Sequence, residues 1–138
     1  MVITHRHQIE TTGQGDVRDV TKTIAGDLSR STIKSGIVTV AVIGSTAGVT
    51  TIEYESGVVT DLSAVFERLA PRNAEYRHHL RWGDDNGSSH VRAAVVGPSV
   101  TVPFVDRALT LGTWQQIVIL EFDTQARRRE YVVQIIGE

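Results

Sequence analysis

The stretch Ser35-Gly36-Ile37-Val38-Thr39-Val40-Ala41-Val42-Ile43 decides the fold class of this chain. β-Branched side chains, which crowd a helical turn but pack well on a pleated surface, occupy six of these nine positions. The run therefore predicts a strand, with Ser35-Gly36 turning the chain into it. Its near-continuous apolarity predicts cover on both faces. Gly44-Ser45-Thr46-Ala47-Gly48 interrupts the run, and Val49 to Glu55 resumes as a second strand.

Working outward, residues 2–11 set Ile3, His5, His7 and Ile9 against Val2, Thr4, Arg6 and Gln8, the two-residue period of a strand with one mixed face. Strand patterns return at Ser99 to Val105, Leu109 to Leu111, Gln116 to Asp123 and Arg129 to Ile136, joined by turns at Asp106-Arg107 and at Thr124 to Arg127. Strands joined by short turns pair antiparallel. Asp16 as a cap, followed by Val17, Val20, Ile24 and Leu28, predicts a helix over 17–30. From Val58 the positions Val59, Leu62, Val65, Phe66 and Leu69 predict a second helix, which Pro71 stops. Ser88 or Ser89 could cap a short third helix through Val91, Ala94 and Val95, ended by Gly97-Pro98. The expectation is one α+β domain over 1–138: a largely antiparallel sheet, two main helices and a short third.

Composition excludes several classes of function. With 14 basic and 16 acidic residues the net charge is −2, so no basic field recruits nucleic acid. There are no cysteines, which removes disulfides, thiolate-zinc sites and cysteine nucleophiles. The opening Met1 to His7 lacks the apolar stretch of a signal peptide, and no apolar run approaches membrane-spanning length. A cytoplasmic protein with no nucleic-acid or membrane partner is expected.

The chemistry concentrates between Tyr76 and His90, Tyr-Arg-His-His-Leu-Arg-Trp-Gly-Asp-Asp-Asn-Gly-Ser-Ser-His, which holds three of the five histidines. Its polarity and its two glycines read as a long loop whose side chains converge on a metal or an anion. His78, His79 and His90 are imidazole ligands by type, and Asp84 or Asp85 could add an oxygen to a zinc-like or mixed site. The spacing matches no strict zinc motif. Hydrogen bonds that merely hold the loop together would explain the same residues. Gly87-Ser88-Ser89-His90 resembles a helix start, where free N–H groups favour a phosphate or carboxylate. Gly44 to Gly48 could offer backbone donors to a phosphate but lacks the lysine of a Walker loop, and a bulge explains its glycines equally well. Glu53 and Glu55 would share one side of the second strand, where Glu53 could accept a proton. Trp114 suits core or subunit-interface packing, and Gln115 could orient a ligand. Arg127-Arg128-Arg129 fits a solvated hairpin turn, and His5 and His7 fit packing or surface roles.

Taken together, Ser35 to Val40, Thr50-Thr51-Ile52-Glu53, Tyr76-Arg77-His78-His79, Gly83 to Gly87 with His90, Gly97-Pro98-Ser99 and Leu111 to Gln116 resemble the YjbQ family, also called the secondary thiamine-phosphate synthase family. The resemblance runs over nearly the whole chain. It implies a YjbQ-like domain, usually a homotrimer, with a polar pocket formed by the histidine segment and nearby strands. The activity it implies is weak thiamine-phosphate synthesis, joining a pyrimidine methyl pyrophosphate to a thiazole phosphate with loss of pyrophosphate. On that reading His78, His90, Glu53 and Asp85 carry catalysis, while Thr46, Asn86, Ser88, Ser89 and Gln115 hold a phosphorylated ligand. A divalent metal, Mg or Zn, would sit on His78, His90 and Asp85, with His79 a further candidate. Ser45 stands where many members carry a histidine. The same residues also fit a non-catalytic trimeric metal- or phosphate-binding protein, or a different metal-dependent hydrolytic enzyme.

Overall fold

The computed structural model describes all 138 residues. In chain order the elements are β1 (Val2–Glu10), β2 (Val17–Asp19), α1 (Thr21–Arg30), β3 (Gly36–Val42), β4 (Ala47–Ile52), α2 (Ser56–Leu69), α3 (Arg77–Trp82), α4 (Gly87–Val96), β5 (Ser99–Val105), β6 (Ala108–Leu109), β7 (Gln116–Glu121) and β8 (Arg128–Gly137). All pairing is antiparallel, in two sheets ordered β1-β8-β3-β5-β6 and β2-β7-β4. The expected α+β class holds.

The smaller sheet lies between the larger one and helices α2 and α4, because β7 sends alternate residues to opposite sides. Ile117 and Ile119 join Val38, Val40, Val133, Ile135, Ile24 and Leu28 in the main core. Val118 and Leu120 face the other way, packing with Phe66 of α2, Ala93 of α4 and Phe122. Phe66 and Phe122 meet edge to face, their ring centres 4.8 Å apart. Each fully buried aliphatic side chain contributes about 1.5–3 kcal/mol, so β7, buried on both sides, is the element on which the layers depend. At Gly48 a Cβ would lie 2.7 Å from Val96 Cγ1 and 3.1 Å from the Gly97 carbonyl. The bare glycine lets the end of α4 settle onto β4, which fixes where α4 carries His90.

Several expectations are corrected. Residues 17–19 form β2 rather than the first turn of a helix, because Val17 to Asp19 pair in register with Leu120 to Val118. α1 then starts at Thr21, whose N–H and hydroxyl both donate to Asp19 Oδ1 at 2.9 and 2.6 Å. The strand after Gly48 ends at Ile52, so Glu53 and Glu55 do not share a strand face. Glu55 instead caps α2, accepting from Gly57 N–H at 2.9 Å and Val58 N–H at 2.6 Å. Those backbone hydrogen bonds hold its pKa below the ordinary carboxylate value. The histidine segment is not one long loop, since α3 and α4 take up most of it. α4 covers the expected third helix, but its cap is Asn86, one residue before Gly87 and ahead of both serines.

The double-sided cover expected for Ile37–Ile43 is also corrected. Within the chain β3 is buried on one face only, and on the other Ile37 is exposed and Thr39 half-buried. That outer face carries an apolar row across four strands, Val2, Ile136, Ile37 and Pro103, which are successive register partners and all exposed. No helix is long and apolar enough to cross a membrane.

Candidate functional site

Two short helices and the turn between them build the site. α3 carries His78 and His79 and ends at Gly83, whose φ of 67° is the left-handed conformation that glycine enters without cost. α4 begins four residues later and carries His90 near its start. The fold-back brings the rings of His78 and His90 to 4.4 Å between centres, tilted by 36°. His78 Nδ1 lies 3.0 Å from Asp84 Oδ1, close enough for charge pairing but out of line for a hydrogen bond, and this buried nitrogen has no other partner. Asn86, its amide nitrogen turned toward Asp84, donates to Oδ1 at 3.0 Å and Oδ2 at 3.3 Å and so fixes the carboxylate.

His79 turns elsewhere. Its Nε2 accepts the Gly87 N–H at 3.1 Å and its ring packs on Tyr76 at 5.4 Å, clipping α3 to the first residue of α4. That lone pair is spent on structure rather than on a ligand.

Burial depresses the pKa of His90, with the neighbouring His78 adding to the effect, while Asp123 and Asp84 partly offset it. The imidazole is therefore neutral at pH 7, the form that ligates metals and accepts protons. Asp123 belongs to a buried polar network behind the site. Its Oδ2 accepts from Thr46 Oγ1 at 3.0 Å and Arg127 Nε at 2.9 Å. Burial alone would raise the pKa of Asp123, but the bonds from Thr46 and Arg127, the charge of Arg127 and the Thr124 N–H together lower it. Thr46 Oγ1 accepts in turn from Arg129 at 2.7 Å, and Arg129 Nε donates to Glu121 Oε2 at 2.8 Å. Thr11 completes the chain with a 2.7 Å bond to the same oxygen.

The structure thus brings together His78, His90, Asn86 and Asp84. The carboxylate beside His78 is Asp84 and not Asp85, whose Oδ1 faces the Thr124 hydroxyl at 3.4 Å. Glu53 is exposed past the end of β4, its carboxylate unpaired within the chain. Gln115 spends its amide on Thr51 Oγ1 at 3.1 Å and on the Gly112 N–H at 3.0 Å. Ser88 and Ser89 are fully buried with hydroxyls that have no partner. Trp114 is 71% exposed and so is not core packing. The solvated reading of Arg127-Arg128-Arg129 holds for Arg127 and Arg128, both exposed although Arg127 also pairs with Asp123, but not for Arg129, which is buried. Sequence reasoning passed over Glu121, Asp123 and Thr11. The signal for Arg129 was its phase, since it alternates inward with Tyr131, Val133 and Ile135.

No three His, Asp or Glu side chains converge as a ready-made metal cage. The two imidazoles offer nitrogen donors, which suit an ion of zinc type better than magnesium, which prefers an oxygen shell.

Comparison with known proteins agrees with this architecture. The family model described as UPF0047 protein YjbQ-like matches residues 5–138. A UPF0047 protein of Methanothermobacter thermautotrophicus is 34% identical over 93% of this chain and 88% of its own. One from Methanocaldococcus jannaschii is 35% identical over 96% and 94%. The crystal structure of a YbjQ-like protein of unknown function from Sulfolobus solfataricus superposes with a TM-score of 0.89 at 28% identity, covering 100% of both chains. A hypothetical protein from Aeropyrum pernix gives 0.87 at 30% identity over 99% of each. From the family model, the relatives and the shared fold alike, the chain belongs to the YjbQ/UPF0047 family.

Proposed function

We propose that His78 and His90, backed by Asp84, bind a divalent metal ion of zinc type and through it a phosphorylated small molecule. The observation that carries this reading is the pair of imidazoles 4.4 Å apart, with His90 held neutral by burial and by its neighbour. Asp84, fixed by Asn86, would add negative charge beside His78 and so favour a bound cation. A bound ion would supply positive charge to phosphate oxygens. The specific reaction we propose is the thiamine-phosphate condensation implied by the family resemblance. Purified protein given the pyrimidine pyrophosphate, the thiazole phosphate and a divalent metal should form product slowly, and His90→Ala should reduce the rate without unfolding the chain. If rigorously purified protein makes no more product than an empty-vector preparation, the synthase assignment is wrong.

Binding without turnover is the second reading. It is favoured by the positions of Glu53 and Asp85, the two carboxylates expected to carry catalysis, neither of which meets the histidine pair.

We also propose a homotrimer. Supporting it is the uncovered face of the larger sheet, with its exposed row Val2, Ile136, Ile37 and Pro103, since exposed apolar rows on sheets are commonly covered by another chain. Light scattering at micromolar concentration should give three chain masses, and Ile37→Lys should shift the mass toward one. A wild-type monomer at that concentration contradicts the proposal.

A further inference from the structure

A second group of imidazoles lies at the edge of the larger sheet, on elements that contribute nothing to the His78–His90 site. β1 is the edge strand, and His5 and His7, two residues apart, point to the same side. Both face Asp27 of α1, a carboxylate whose side chain is 1% exposed. His7 Nε2 is 2.7 Å from Asp27 Oδ2, and His5 Nδ1 is 3.9 Å from Oδ1. The two rings are nearly parallel, with planes 19° apart and centres at 6.3 Å. Tyr131, the cross-strand partner of His7, packs behind it at 5.2 Å.

Each ring therefore turns one nitrogen toward the same buried carboxylate and leaves the other free. Those free atoms are Nε2 of His5 and Nδ1 of His7, on side chains 34% and 25% exposed. A hydrogen bond to Asp27 makes Nε2 of His7 the donor, so the lone pair rests on Nδ1. This is how proteins prepare an imidazole for a metal, with a carboxylate fixing the tautomer from behind. Alternate residues on a strand stand about 6.6 Å apart, a span that two imidazoles can close around one ion through bonds of about 2.0–2.1 Å. A purely structural His–Asp tie between β1 and α1 needs His7 alone and gives no reason for a second histidine beside it. Asp27 also accepts from Arg30 at 3.0 Å, whose positive charge opposes a cation.

We propose that His5 and His7 form a surface site for a divalent transition-metal ion of the zinc, nickel and copper class, with Asp27 as the outer carboxylate and solvent completing the shell. The site is independent of the His78–His90 pair. Calorimetric titration with zinc chloride tests it in the wild-type chain and in His78→Ala/His90→Ala. The wild type should bind one zinc per chain more than His5→Gln/His7→Gln does, and His78→Ala/His90→Ala should keep that zinc. Asp27→Asn should weaken it about 10- to 100-fold, whereas Arg30→Gln should strengthen it by removing the opposing charge. Copper(II) bound to His78→Ala/His90→Ala should show two-nitrogen splitting in its electron paramagnetic resonance, lost in the chain that also carries His5→Gln/His7→Gln. Zinc stoichiometry and affinity unchanged by His5→Gln/His7→Gln, with melting curves confirming the fold, would overturn the site and leave a structural His–Asp tie.

Discussion

Arg129→Met should destabilise the protein by about 3–5 kcal/mol, the cost of stranding one member of a buried ion pair. Its partner Glu121 is 1% exposed and cannot recover hydration when the guanidinium is removed. Thr11 remains as a donor to Glu121, but one hydroxyl bond does not neutralise a buried carboxylate. The loss also spreads, because Arg129 donates to Thr46, and Thr46 donates to Asp123 behind His90. Urea unfolding should show the midpoint falling with the slope unchanged. The double replacement Glu121→Met/Arg129→Met should recover much of the loss, since apolar residues of similar volume often replace a buried pair at little net cost. A single-variant loss below about 1 kcal/mol, the range of exposed pairs, would show that water reaches Glu121.

The sheets were readable because burial imposes its period on the sequence. β1, β5 and β8 alternate, β3 shows itself by its run of β-branched residues, and α2 shows its apolar stripe from Val59 to Leu69. β2 was not readable, because Val17, Val20, Ile24 and Leu28 fit a helix by spacing and only pairing with β7 selects the strand. α3 was hidden for a different reason. None of its residues is buried, so it has no apolar stripe to reveal it, and tertiary ties hold it: His79 to the Gly87 N–H, and the Tyr76 hydroxyl to the Pro71 carbonyl at 2.6 Å. The histidine pair was visible from residue type alone. The choice of Asp84 over Asp85 was not, because adjacent carboxylates differ only in where the turn after Gly83 points them. The network through Thr11, Thr46, Glu121, Asp123 and Arg129 joins four distant segments, a proximity that no local pattern records.

His78→Ala and His90→Ala should each abolish most of the stabilisation that zinc confers through the site they share. An ion that binds the folded chain alone adds RT ln(1 + [L]/Kd), about 2.7 kcal/mol at a hundredfold excess over Kd. Losing one of two imidazoles removes both geometry and donor count. Thermal melts across a panel of divalent metals and phosphate read this directly, in a His5→Gln/His7→Gln background so that one site reports. His79→Ala should behave differently, lowering the metal-free melting temperature by removing the acceptor of the Gly87 N–H while keeping the zinc shift. Ser45→Ala should leave the shift nearly intact, because a hydroxyl is a weak ligand beside two imidazoles. The pH profile follows from His90, whose folded pKa lies below the ordinary 6.5. Below that ordinary value the unfolded chain takes up a proton that the folded chain still refuses, so metal-free stability falls as pH drops from 6.5 through the depressed value. The neutral ring keeps its lone pair over the same interval, so this ligand should stay available to zinc at a lower pH than a free histidine would. Identical metal and phosphate shifts in the parent, His78→Ala and His90→Ala would refute the shared site and leave the histidine segment as a structural hydrogen-bond network.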